Sequence, residues 1–270
     1  MTRHTSRVIG LLAVCLSFGV GSERVRGQGD PMELQSRAIQ RLDAFVETFR
    51  KTGDVRSRMP DLAQAEAELS ASNRMLAARG DWSALALGLI KQGHVYRIQG
   101  QWQASIPFYS QAEEAARRGN NVARQSDALA WRGLAEISLR NAGQAVADAA
   151  QAVRLAETTS DRDILAQALD VLGAAQLAQG DLAAAAATLN REVAVAAEAK
   201  NPMASYFAYL NRADLHKKTA ERCDYATTYD QCLQALDRAR ADYQQTRTIA
   251  NGSATPPLQR RANSSFEIWI

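Results

Sequence analysis

The chain has 270 residues, with 32 basic and 29 acidic side chains spread along it and a formal net charge of +3. No basic stripe stands out as a nucleic-acid footprint, so no nucleic-acid partner is expected. A hydrophobic content of 46% with 6% aromatic and 23% charged residues suits Ala-rich packed helices, and excludes a disordered or multi-span chain.

Residues 1–27 read as a secretory signal peptide. Arg3, His4 and Arg7 precede an apolar run from Val8 to Val20, and small residues follow at Gly21 and Ser22. The run is too short to cross a bilayer as a helix. Cleavage is expected after Gly21 or Gly27, giving a mature chain without a membrane span that is exported to the periplasm or secreted. An ordinary buried N-terminal helix is the alternative. Leu12-Ala13-Val14-Cys15 falls short of a lipoprotein box because Val14 stands where a small residue belongs.

A helix is predicted over 32–51 from Asp30-Pro31, with Leu34, Ile39, Leu42, Phe45, Val46 and Phe49 as its buried side. The linker TGDVRSRMP leads to a second helix at about 61–78, which ends at Arg79-Gly80-Asp81. Beyond it the pattern becomes periodic. Gly93, Gly133 and Gly173 stand 40 residues apart, as do Ser105, Ala145 and Ala185. A fixed period of that size marks a repeat solenoid. The unit is clearest at 161–200. Leu165, Ala168, Leu169, Leu172 and Ala175 stripe one helix, and Leu182, Ala185, Ala186, Leu189, Val193 and Ala196 stripe the next. Asp161 or Asp163 can cap the first, Gly180 can end it, and Asp181 can cap the second. A single such hairpin leaves an apolar face wet, and stacking copies covers it. Hairpins are therefore expected at about 32–80, 81–120, 121–160, 161–200 and 201–250. Trp82, Trp102 and Trp131 are read as packing residues. The fifth hairpin departs from the pattern, with ERCDYATTYD (221–230) replacing the short turn. Residues 251–270 lack any period and read as a poorly ordered tail.

These residues carry a family resemblance. LDVLGAAQLAQGDLAAAAATLNREV looks like a tetratricopeptide repeat (TPR), as does 89–112 through Gly93, Tyr96, Gly100, Trp102, Ile106, Tyr109 and Ala112. The 40-residue period resembles the variety found in kinesin-light-chain-like arrays and in arrays attached to caspase-like (CHAT) domains. The resemblance covers about residues 32–250. It implies an all-α, right-handed α-α superhelix of about five hairpins that works as a non-enzymatic protein–protein interaction scaffold.

Nucleophile elbows, His-Glu-x-x-His pairs, Cys-x-x-Cys pairs and Walker loops are absent from the sequence, so no enzyme, cofactor or metal is expected. His94 and His216 fall three repeats apart, too far for a shared ion. A groove is expected instead. Its face runs through Leu87, Ile90, His94 and Arg97, then Asp127, Ala130, Leu134 and Ile137. It continues with Gln167, Asp170, Ala174 and Leu177, then Phe207, Leu210, Asp214 and Lys217. In the resembled family this face lines the concave side and receives peptides. His94, Arg97, Asp127, Gln167, Asp170, Asp214 and Lys217 are its polar positions, set to orient a protein or peptide partner held by apolar contact. The basic clamp for a C-terminal carboxylate that some members carry is missing, because Ile90, Ala130 and Trp131 occupy its positions. Alternatively the chain is the orphaned N-terminal repeat region of a larger protein that has lost an effector such as a CHAT domain, since the pattern dissolves after Ala250.

Cys223 and Cys232 remain as a pair after signal removal. They flank the irregular turn, so a disulfide between them is expected in an oxidising compartment, with two buried thiols as the alternative.

Overall fold

The structure, a computed structural model, describes residues 29–52 and 59–252, with side chains from 49 to 52 left aside. The expectations for the signal segment, most of the first linker, Phe49 and the tail fall outside these residues. Ten helices follow one another: α1 (Pro31–Thr52), α2 (Met59–Arg79), α3 (Trp82–Ile98), α4 (Trp102–Arg118), α5 (Val122–Ser138), α6 (Ala142–Ala156), α7 (Arg162–Gln179), α8 (Leu182–Ala199), α9 (Pro202–Glu221) and α10 (Tyr229–Gly252). They pair as five antiparallel hairpins, and from α3 onward each first helix packs between the second helices of its own and the preceding hairpin.

The turns recur at half the repeat length. Left-handed residues stand at Gly80, Gly100, Asn120, Arg140, Gly180 and Lys200, with the step at Ser160 left out. At five of the six, the next amide reaches five residues back to the helix it has just left: Asp81 to Leu76 (3.0 Å), Gln101 to Tyr96 (2.9 Å), Asn121 to Ala116 (2.9 Å), Asn141 to Glu136 (2.9 Å) and Asp181 to Gln176 (3.0 Å). This closure satisfies carbonyls that a helix end leaves orphaned. At the third hairpin the left-handed residue is Arg140 (φ 64), while Gly143 lies inside α6 with open space beside it. The expected caps form at Asp161, which accepts from Asp163 and Ile164 amides, and at Asp181, which accepts from Ala184. Capping asparagines also tie one repeat to the previous one. Asn121 donates to Ser83 Oγ (2.7 Å) and Asn201 to Asp163 Oδ1 (2.9 Å).

The periodic glycines mark where each first helix crosses its partner. A Cβ on Gly93 would stand 2.5 Å from the Tyr109 ring, and one on Gly173 would strike Leu189. At Gly133 the neighbours are Val171 and the Ala145 carbonyl, so the same small residue admits a different filler each time. Beside this crossing two hairpins carry a common lock. Arg132 forks onto Asp148 with two bonds of 2.8 Å and reaches Ser110 in the preceding hairpin (3.2 Å). Arg212, two repeats on, forks onto Asp242 (2.8 and 2.7 Å) and reaches Asn190 (3.3 Å). Paired bonds from a planar guanidinium fix orientation as well as charge.

Two expectations need adjustment. The centre of the buried side of α1 is Gln35, Ala38, Leu42 and Phe45, with Leu34, Ile39 and Val46 at its edges. Gln35 is drawn inward because its amide donates to the Ala84 carbonyl (2.8 Å), joining α1 to α3. The fifth hairpin keeps the stacking, but α9 has 20 residues and α10 has 24 against 15 to 18 in α3 to α8. Its turn, Arg222 to Thr228, therefore lies further along the helix axes than the short turns.

First helices also touch one another in sequence: α1 with α3, α3 with α5, α5 with α7 and α7 with α9. No two second helices pack to a comparable extent. The closer-packed row lies on the inside of the curve, so α3, α5, α7 and α9 line a concave face.

Candidate functional site

The concave face is more tightly closed than a solvated stripe. Ile90, Ala130, Leu177 and Leu210 are buried between neighbouring first helices, and the polar positions between them are half-buried. At its N-terminal end the structure gathers four expected residues, His94, Arg97, Asp127 and Gln167, around Trp131. The His94 ring stands edge-on to the Trp131 ring with centroids 4.4 Å apart, and the Arg97 guanidinium lies over it at 5.1 Å. A cation over an indole face is attracted by the ring quadrupole. The indole N–H donates to the Asp127 carboxylate, which also accepts from Gln167 Nε2 at 2.9 Å. One ring thus links α3, α5 and α7.

The electrostatics of this cluster follow from its burial. His94 titrates well below the usual histidine range, because burial penalises its charge and Arg97 and Lys91 oppose it further. It is neutral at neutral pH. Burial also raises Asp127, against the bonds from Gln167 and Trp131. Tyr109, buried behind His94, is raised by desolvation while Arg97 pulls the other way. Among the described residues, His94 Nε2, Arg97 Nε and Tyr109 Oη are buried without a well-formed hydrogen bond. A buried polar atom left unpaired costs about 1–3 kcal/mol. Here Arg97 and Tyr109 lie within reach of each other, while His94 Nε2 has no partner.

Further along, Asp170 accepts a short hydrogen bond from Asn211, so it ties α7 to α9. Asp214 accepts from Tyr243 Oη (2.5 Å), and Lys217 lies 3.9 Å from Glu221. Asp214 and Lys217 share a cavity of about 360 Å³ with Ile137, Ala174 and Leu177, all from the expected face. The seven polar positions therefore fall into two clusters joined by Asp170. His94 and His216 lie in separate repeats, and no group of three or more potential metal ligands exists among the described residues. The Cys223 and Cys232 thiols are unlinked.

Three features of the face and its neighbours escape the sequence pattern. Trp131 packs against the core as expected and is also the hub of the first cluster, a position its spacing four after Asp127 could have suggested. Asn211 pairs with Asp170 one repeat earlier. Glu192 is fully buried on α8, where burial and then the Asp170 charge raise its pKa well above the usual carboxylate range despite Arg212. Elsewhere a cavity of about 630 Å³ opens between α2 and α4 over α3, lined among others by Trp82, Leu85, Leu89, Phe108 and Arg118.

No protein-family model matches the chain, and no curated protein matches it. Solved structures do. A kinesin-light-chain-type protein of Podosopora anserina with nearly identical TPR-like repeats superposes with a TM-score of 0.57 at 15% identity, over 82% of this chain and 99% of its own. BtubC (BKLC) of P. vanneervenii gives 0.50 at 14% identity, over 82% of this chain and 93% of its own. At such identities the likeness is one of architecture, and it bears out the tandem-hairpin resemblance carried by the 40-residue period. The chain has the fold of a TPR-like helical solenoid.

Proposed function

We propose that the chain is a non-enzymatic scaffold that holds a segment of a protein partner along the concave face, anchored at the Trp131 cluster. The TPR-like fold suggests protein–protein interaction, and the observation that carries the finer reading is the convergence of His94 Nε2, Arg97 Nε and Tyr109 Oη beside one tryptophan, all buried without a well-formed hydrogen bond although Arg97 and Tyr109 lie within reach of each other. Arg97 and Tyr109 are donors and neutral His94 offers one more donor or acceptor, so a carbonyl or carboxylate oxygen of the partner suits them. Leu134 and Ile137 supply an apolar floor toward the Asp214–Lys217 cavity. An extended or amphipathic segment could meet both clusters.

A matched control exists on the same molecule. Arg118 lies over the Trp82 ring at 5.0 Å, away from the concave face. Peptides selected from a random library on the full chain should bind at least about tenfold more weakly to Arg97→Ala, a loss of ~1.4 kcal/mol. They should bind Arg118→Ala unchanged. Selected peptides that ignore Arg97→Ala but lose Arg118→Ala would place the binding surface on the outer side.

Export is part of the proposal and rests on the charged start and apolar run of residues 1–27. The mature N-terminus should begin near Ser22 or Gln28. N-terminal sequencing that returns Thr2 from the cytoplasmic fraction would reject it.

A further inference from the structure

We propose that Cys223 and Cys232 are a thiol pair that oxidises reversibly to a disulfide, closing the long turn at the tip of the fifth hairpin. Cys223 follows the last residue of α9's cap and Cys232 lies in the first turn of α10, where its amide donates to Thr228 O (3.1 Å). Across the turn the two thiols stand close enough to influence each other directly. The turn is already shaped without the bridge. Asp224 accepts from the Ala226 amide (3.0 Å) and Thr227 Oγ1 (2.7 Å), and Thr228 Oγ1 donates to Asp224 O (2.8 Å). Thr228 Oγ1 also lies 3.7 Å from Cys232 Sγ. A bridge requires Cα atoms roughly 4.4–6.8 Å apart, a separation that a helix–helix turn with its two thiols in mutual reach can supply.

The two sulfurs differ in access. Cys232 is wholly buried, whereas Cys223 is half-exposed among residues 221–230 that are otherwise almost all exposed. Its contact with Cys232, then burial, raises the Cys223 pKa, so Cys223 rests as a thiol at neutral pH. The entry sulfur is Cys223. Its thiolate attacks a sulfur of an external disulfide, the oxidant, whose S–S bond breaks and releases one thiolate. Cys232 then loses its proton to solvent and attacks the Cys223 sulfur, expelling the second thiolate. Two thiols have lost two electrons and two protons, and the external disulfide has become two thiols. The bridge holds a tip that presents Tyr225 (47% exposed) and Tyr229 (57% exposed) outward, among the most exposed large hydrophobic residues described.

The test is a titration of the full chain in glutathione buffers of rising oxidised fraction, quenched by alkylation. Both cysteines fall in one tryptic peptide, 223–238, which separates them from Cys15. The expected product is that peptide lighter by two hydrogens and closed to alkylation, from a protein of unchanged helicity, with amide exchange over 224–231 slowed about tenfold. Cys232→Ser should instead trap a mixed disulfide with glutathione at Cys223, whereas Cys223→Ser should leave Cys232 unmodified. Both thiols alkylated in the most oxidised buffer would overturn the proposal. So would a bridge that costs helicity, or a Cys223→Ser protein whose Cys232 takes up glutathione as fast. The wild-type titration stands alone if either variant fails to fold.

Discussion

Two arginine–tryptophan contacts of nearly equal geometry occur in this molecule, Arg97 over Trp131 at 5.1 Å and Arg118 over Trp82 at 5.0 Å. Their surroundings differ. Arg118 is 53% exposed and donates to Glu114 (2.8 Å), which also takes Arg117 (2.7 Å), so the charges there are matched and wet. Those two bonds hold the Glu114 carboxyl below its usual range. Around Trp131 the polar atoms are buried and three lack a well-formed hydrogen bond. The contact itself is therefore no sign of function. The proposed anchor rests instead on the poorly met hydrogen-bonding capacity beside it.

The largest expected contrast comes from removing the rings. Trp131→Ala should cost about 3 kcal/mol, since it opens a cavity and removes a donor from buried Asp127. Trp82→Ala, at a wet cleft, should cost about half that. Denaturant midpoints at a constant slope would measure both. Equal losses would mean that Trp131 is ordinary packing.

Next comes the wall behind the cluster. Gly93→Ala places a Cβ 2.5 Å from the Tyr109 ring, which must move against its neighbours. A cost of about 2 kcal/mol is expected, with weaker peptide capture, because Tyr109 leaves its place beside His94. Gly143→Ala, with nothing near its missing Cβ, should be neutral or slightly stabilising.

A third contrast is in pH. The folded pKa of His94 is depressed, so the unfolded chain binds more protons below about 6.5. Its contribution is present above that value and is lost as pH falls toward the folded pKa. The melting temperature should drop on acidification through this window, and His94→Gln should flatten the drop. Glu192 has the opposite sign. Its pKa is raised above 4.5, so the folded chain holds the extra proton and stability is lost as pH rises above that value. Glu192→Gln should therefore raise the melting temperature at pH 7, with the gain fading toward pH 4.5. A gain equal at both pH values would show that Glu192 is not buried as a protonated acid.

Smallest is the exposed control. Arg118→Ala should change stability by less than about 0.5 kcal/mol, as surface ion pairs do.

The hairpins were legible because close helix crossing needs a small residue at the same place in every repeat, which wrote Gly93, Gly133 and Gly173 into the chain. The buried face of α1 was less so. Gln35 looks polar in the sequence, yet its position is set by a carbonyl on α3. The left-handed turn at Arg140 was hidden for a similar reason, since stacking overrides the local preference for glycine. At the candidate site, spacing placed all seven polar residues on one face. It did not show which would pair across repeats, as Asp127 with Gln167 and Asp170 with Asn211, because that depends on rotamers and stacking distance. Glu192 was invisible, since a carboxylate on a second helix reads as solvated until its neighbours are known.

The most direct test of the concave-face account is a crosslink map. A photoreactive benzophenone on a library-selected peptide would be activated on the full chain and the adducts sequenced. The account predicts adducts on α3, α5 and α7 facing Trp131, abolished by Arg97→Ala and retained in Arg118→Ala. Adducts confined to the cleft between α2 and α4, and indifferent to Arg97→Ala, would contradict it.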